Sequence, residues 1–256
     1  MGTPCIGCLL SRRISTTTVS TLEFVLGLVV LTVGYTIQGL LGFGACLFAV
    51  PILALLAPEF VPGPVLMVNP LLCALVAWRE YKFIDWPVLR WALVGRVPGV
   101  LLGVWALTQV SEDQLGLLFG TLLLLGVGLK ISGMHTNRTP WTLMGAGGLS
   151  GFMGTSVAVG GPPIALVLND ASGSELRSTL NAFFLIGTTI SVISLTIVGE
   201  FGTSDLLLAV CLIPSVLVGV ALSSRLRGVL ARAWLAPAVY GLSSLFAVLL
   251  LIRSLA

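Results

Sequence analysis

Long, continuously apolar runs constrain this chain more than any other feature. Leu206 to Leu222 and Leu235 to Ile252 hold no charged residue. At about 1.5 Å per helical residue, each run approaches the ~30 Å of a bilayer's hydrocarbon core. Backbone groups in lipid must be satisfied within the protein, which leaves helices or a closed barrel. The runs lack the two-residue alternation of a barrel strand, so they read as helices. Composition agrees: 57% of residues are hydrophobic and 9% charged, against about 25% charged in a soluble domain. The expected fold is an all-α, multi-pass membrane protein.

Ten hydrophobic segments are expected: 20–39, 44–57, 63–78, 87–108, 114–131, 141–155, 157–169, 178–198, 205–222 and 234–252. The second and seventh are too short to cross, so they are expected as half-helices or re-entrant pieces. Basic residues cluster in alternate loops: Arg79, Lys82 and Arg90, then Lys130 and Arg138, then Arg177, then Arg225, Arg227 and Arg232. The loops between, Ser111 to Gln114 and Gly199 to Asp205, hold no Lys or Arg. The positive-inside rule places the basic loops in the cytoplasm and, for ten crossings, both termini outside. Arg12 and Arg13 argue the other way for the N-terminus. They precede an apolar stretch that continues to Leu40 without a small-residue cleavage site, so this stretch reads as a membrane segment and not a signal peptide.

The chain also resembles itself. Gln38-Gly-Leu-Leu-Gly-Phe-Gly to Pro51 matches Ser150-Gly-Phe-Met-Gly to Pro163 at one constant offset. Gly39 meets Gly151, Gly42 meets Gly154, Pro51 meets Pro163, and Asn69 meets Asn181. Arg96-Val-Pro-Gly to Gly103 parallels Leu212-Ile-Pro-Ser to Gly219 at a slightly larger offset. Gly95, Gly99 and Gly103 repeat every four residues, as do Ser215, Gly219 and Ser223, a spacing that lets membrane helices approach closely. Division into a tail (1–19), a first repeat (20–131) and a second repeat (141–253) follows. Five segments per half would invert the second half relative to the first, the plan of many secondary transporters.

Paired breaks in such repeats point to a binding site. Half-helices starting near Gly42 to Gly44, and near Thr155 to Gly161 with Pro162, would offer free N–H groups and a positive dipole end to an anion. The alternative is that they are kinks and packing points. Arg96 sits near the middle of the fourth segment, where a charge needs a cavity or a partner. It suits an oxyanion, or it bonds backbone carbonyls as a structural residue. Asn69 and Asn181 are either substrate donors or ties between helices. The candidate substrate-binding set is Gln38, Gly39, Gly42, Gly44, Asn69, Arg96, Ser150, Gly151, Gly154, Gly161, Pro162 and Asn181. Thr188 and Ser191 could line a path, or bond their own backbone.

The chemistry of an enzyme is not visible. One histidine, His135, lies in a polar loop, so no Ser/His/Asp or Cys/His set exists. No phosphate loop, dinucleotide fingerprint or zinc spacing occurs. Neither cofactor nor metal is expected. Cys5 and Cys8 form a C-x-x-C without a strand–helix context, which leaves a thiol redox role as a minor alternative. Singly placed basic residues do not suggest nucleic acid.

At Gln38 to Gly44 with Val50-Pro51, at Lys82-Phe-Ile-Asp85-Trp86, and at Gly151 to Pro163, the sequence resembles the sulfite exporter TauE/SafE family of the toluene sulfonate uptake permease superfamily. Asp205 to Arg225 resembles the family's second half, and the likeness covers roughly residues 20–253. It departs at Ala45 and Cys46, where family motifs often carry a further glycine. The resemblance implies a permease of the bacterial inner membrane for sulfite, organosulfonates or related sulfur-containing anions. Combined with the repeat, it leads to the expectation of a secondary transporter. Expected partners are a small anion, with or without a coupling ion, and the lipid bilayer; self-association is left open. The rival is a membrane scaffold with the same fold and no transport.

Overall fold

The computed structural model describes residues 20–109, 112–131, 137–227 and 232–255. The tail with Cys5, Cys8, Arg12 and Arg13, and the loop residue His135, lie outside them. Among the described residues the secondary structure is helical throughout. The first half comprises α1 (Thr21–Leu41), α2 (Ala45–Leu56), α3 (Gly63–Arg79), α4 (Trp86–Gln109) and α5 (Glu112–Ile131). The second comprises α6 (Pro140–Val157), α7 (Gly161–Val167), α8 (Gly173–Ile197), α9 (Thr203–Leu226) and α10 (Arg232–Leu255). Short 3-10 turns at Pro58–Phe60 and Tyr81–Phe83 flank α3.

Local chemistry sets the helix starts. Ser20 and Glu23 close a capping box on α1, and Ser172 and Glu175 close another on α8. Reciprocal bonds of this kind satisfy N–H groups that a first turn leaves open. The second box starts α8 five residues before the expected 178. At about 1.5 Å per residue, the 12 residues of α2 reach about 18 Å and the seven of α7 about 10 Å, so neither crosses alone.

The outer surface is apolar, as lipid requires, and polar side chains at membrane depth are buried within a largely apolar core. Leu207, Val210, Leu217, Leu245 and Ile252 face outward, while Gln38, Asn69, Arg96, Ser150, Thr155 and Asn181 are buried. Five helical stretches are long and apolar enough to cross a membrane: α1, α4, α8, α9 and Leu235–Arg253 of α10. Trp78, Tyr81, Trp86 and Trp141 lie exposed near helix ends, where aromatic rings favour the lipid–water boundary.

Helices of the two halves interleave. The tightest packing joins α4 to α6, and α1 packs on α9. Next come α3 with α8, α5 with α10, α3 with α9, α4 with α8, α2 with α10 and α5 with α7. Exchanging each helix for the one five places away maps every one of these pairings onto itself or another. Glycines build the α4–α6 seam: a Cβ at Gly95, Gly99 or Gly147 would collide with a carbonyl of the facing helix, at Met144, Gly148 or Ala92 respectively. On the α1–α9 side, a Cβ at Gly219 would fall 2.7 Å from that of Tyr35.

The basic loops meet at one end. There Arg138 binds Asp85 (3.4 Å), Asp170 (2.9 Å) and Glu175 (2.7 Å). The hydrogen bond from Arg138 holds the Asp170 carboxyl below its usual range. Arg177 donates to both carboxylate oxygens of Glu80, at 3.1 and 3.0 Å. The start of α1 lies at the opposite end, with Phe24 beside Phe60 (6.4 Å between rings) and Gly63 against Asp205.

Candidate functional site

Two helix breaks meet between the halves. At the first, α1 stops at Gly42 (φ 93°), and Gly44 (φ 104°) precedes α2. Both positions are left-handed, where a side chain is strained and glycine is not. At the second, α6 stops at Ala158, which takes φ 60° despite its Cβ. No glycine signals that stop.

Side chains tie each break shut. Asn181 donates to the carbonyls of Gly42 (3.2 Å) and Arg177 (2.8 Å) and accepts from Gln38 (3.1 Å). Its repeat mate Asn69 accepts from the Cys73 thiol at 3.7 Å and lies on the cavity wall. At the second break, Ser150 donates to the Gly160 carbonyl. Pro51 removes the N–H that would bond the Leu47 carbonyl, and Ser243 of α10 supplies the missing donor at 2.8 Å.

Arg96 is fully buried at the centre of α4. Its Nη1 donates to Ser150 Oγ at 3.1 Å. Its Nε and Nη2 are buried and have no hydrogen-bond partner among the described residues. These two nitrogens form one edge of the guanidinium, the fork that grips a carboxylate or an oxyanion with two parallel bonds. No ion pair to Arg96 occurs among the described residues. The guanidinium carbon stands 4.7 Å from the centre of the Phe183 ring. Glycines make room for it: a Cβ would sit 3.2 Å from Nη2 at Gly154 and 3.4 Å from Nη1 at Gly160, and would overlap Nε at Gly187.

A cavity of about 30 Å3 opens here. Gly44, Asn69, Arg96, Gly154 and Gly161 of the expected set line it. Cys46, Leu47, Gly160, Phe184 and Thr188 line it as well. The first turn of α2 contributes Gly44, Cys46 and Leu47, so N–H groups that an opening turn leaves free lie beside the cavity. The start of α7 is poorer in donors, because Pro162 and Pro163 have no N–H. Pro162 packs instead toward α5, where a Cβ on Gly126 would meet it at 3.1 Å. Gly39 and Gly151 also stand apart. Gly39 abuts Ser223 of α9, and a Cβ on Gly151 would lie 2.6 Å from the Arg96 carbonyl. Gln38, Gly42, Ser150 and Asn181 support the breaks from behind the cavity wall.

The family model for sulfite exporter TauE/SafE matches residues 6–250. The chain belongs to that family. No curated protein and no solved structure matches it. As a TauE/SafE member it is a multi-pass membrane protein of a family of transporters for sulfur compounds.

Several residues of the candidate site in this TauE/SafE protein escape a reading of the motifs. Phe183, Phe184 and Gly187 sit on α8, far in sequence from both breaks, and resemble ordinary core residues. Thr188 bonds the Phe184 carbonyl (2.5 Å) and Ser191 the Gly187 carbonyl (3.0 Å), the backbone bonding expected of such residues in membrane helices. Ala45 and Cys46 stand where the resemblance led to the expectation of a further glycine, and the first break forms through Gly42 and Gly44.

Proposed function

We propose that this chain is a secondary transporter of small sulfur-containing oxyanions across a bacterial-type inner membrane, built as two inverted five-helix halves. The observation that carries the reading is the free fork of Arg96. A buried cation with two unsatisfied N–H groups is costly, and an oxyanion supplies both the charge and the acceptors it lacks. Asn69 and the first turn of α2 flank the same space with neutral donors. The Phe183 face screens the other side of the guanidinium.

Size narrows the substrate. A water needs about 10–15 Å3 measured this way, so 30 Å3 admits an anion of very few heavy atoms. Sulfite suits the cavity in this state better than a bulky organosulfonate. The paired pseudo-symmetric breaks match the placement of sites between inverted repeats in other transporter folds.

Thermal-shift titration of the purified chain with sulfite, sulfate, small and aromatic sulfonates and carboxylates tests the ligand. Flux of the stabilising anion into proteoliposomes tests transport. Stabilisation and flux with sulfite, both lost in Arg96→Ala, are expected. A folded Arg96→Ala chain that carries sulfite at the wild-type rate would refute the site. Stabilisation without flux for any anion would favour the scaffold reading.

A further inference from the structure

A second guanidinium fork is open in this molecule, at the basic end of the bundle and outside the Arg96 cavity. Glu80, at the end of α3, is only 6% exposed and gathers two arginines. Arg177 of α8 takes both of its oxygens, and Arg227, just past α9, pairs with Oε1. Arg79 stands beside them, donating to Ser224 Oγ at 2.6 Å and to the Gly39 carbonyl at 3.4 Å. Three guanidinium groups against one carboxylate leave a formal charge of 3 − 1 = +2.

The donors are in surplus too. Arg227 Nε and Nη2, and Arg79 Nε, are buried and have no hydrogen-bond partner among the described residues. In Arg177 the corresponding edge, Nε with Nη2, is the one that grips Glu80. In Arg227 the same edge is empty. An empty fork, a third unpaired N–H and a net positive charge in one place call for an anion with several acceptor oxygens.

Its position links it to the cavity. Arg79 bonds the carbonyl of Gly39, and a Cβ at Gly42 would lie 2.8 Å from the Arg177 Cα. Asn181 bridges the carbonyls of Arg177 and Gly42. Gly44, two residues on, lines the cavity. We infer that Arg227 and Arg79, braced by the Glu80–Arg177 pair, form a second oxyanion site at the basic end of the bundle. Its ligand is a small tetrahedral or pyramidal oxyanion group, either a free inorganic anion or the phosphodiester of an anionic lipid.

The test uses the full chain carrying Arg96→Met, so that the central fork is absent and its role does not affect the result. In one arm, sulfite, sulfate and inorganic phosphate are titrated calorimetrically into protein in an uncharged detergent. In the other, the protein is placed in nanodiscs with or without phosphatidylglycerol, and retained lipid is counted by native mass spectrometry. Binding in either arm that weakens at least tenfold in Arg227→Gln supports the site and identifies its source. Arg227→Lys keeps the charge beside Glu80 but loses the fork; if Arg227→Gln does not fold, the lysine variant should bind at least threefold more weakly. No saturable anion binding in the first arm and no phosphatidylglycerol retention in the second overturns the proposal. So does binding that neither Arg227 substitution changes.

Discussion

Arg96 shows how far one residue can be read and where the reading stops. A lone charge in an apolar run marks a cavity or a partner, so its importance was legible. Which nitrogens stay free was not, because that depends on Ser150 and Gly187, which lie 54 and 91 residues away. The two asparagines make the same point. As repeat mates they look equivalent, yet Asn181 makes two hydrogen bonds to the break and a third to its own helix, while Asn69 faces the cavity. At this scale the structure predicts opposite behaviour. Asn181→Ala should destabilise the protein by about 1–3 kcal/mol, since it orphans buried partners. Asn69→Ala should melt close to wild type and bind sulfite several-fold more weakly. Arg96→Met should melt as high as wild type or higher without ligand, because replacing a buried unpaired charge by an apolar chain is neutral or stabilising. The sulfite-induced shift should vanish in the same variant. A large loss of melting temperature in Arg96→Met would mean that the arginine holds the fold together.

At the scale of elements, the existence of ten apolar segments, two of them short, followed directly from the apolar runs and their lengths. The glycine stripe of α4 was legible as a packing surface, but its partner was not: α6 meets it from the other half of the chain. The prolines opening α7 were plain in the sequence, and their missing N–H groups weaken the expected symmetry of two donor-rich breaks. The seam supplies a matched pair of substitutions. In Gly99→Ala the new Cβ collides with the Gly148 carbonyl, a backbone atom that cannot rotate aside. It should cost about 1–3 kcal/mol, the usual range for overpacking. Gly145→Ala on α6 meets nothing within 4 Å. It should be neutral or stabilise by about 0.5–1 kcal/mol, because alanine loses less backbone freedom in a helix. Reversible unfolding in mixed detergent would read both; equal effects would contradict the seam.

For the whole molecule, the alternation of basic loops with loops that lack Lys and Arg anticipated which loops share an end. The structure gathers Glu80, Asp85, Arg138, Asp170, Arg177 and Arg227 on one side, with the start of α9 on the other. Which compartment each side faces is tested by labelling. Cysteines at Ile84 and Ala171 should resist an impermeant thiol reagent applied outside intact cells, and a cysteine at Glu200 should react. The opposite result would turn the molecule over in the membrane.

The interleaving of the halves also bears on biosynthesis. α6 begins 31 residues after α4 ends (140 − 109), whereas α9 begins 162 residues after α1 ends (203 − 41). At about 5–20 residues per second on the ribosome, α4 waits roughly 2–6 s for its partner and α1 waits roughly 8–30 s. The newborn first helix therefore sits in the bilayer with the face that α9 later covers, Tyr35 and Gly39 included, bare until most of the chain has been translated. A chaperone or insertase that shields α1 during that interval would act on this protein's yield without touching the finished fold.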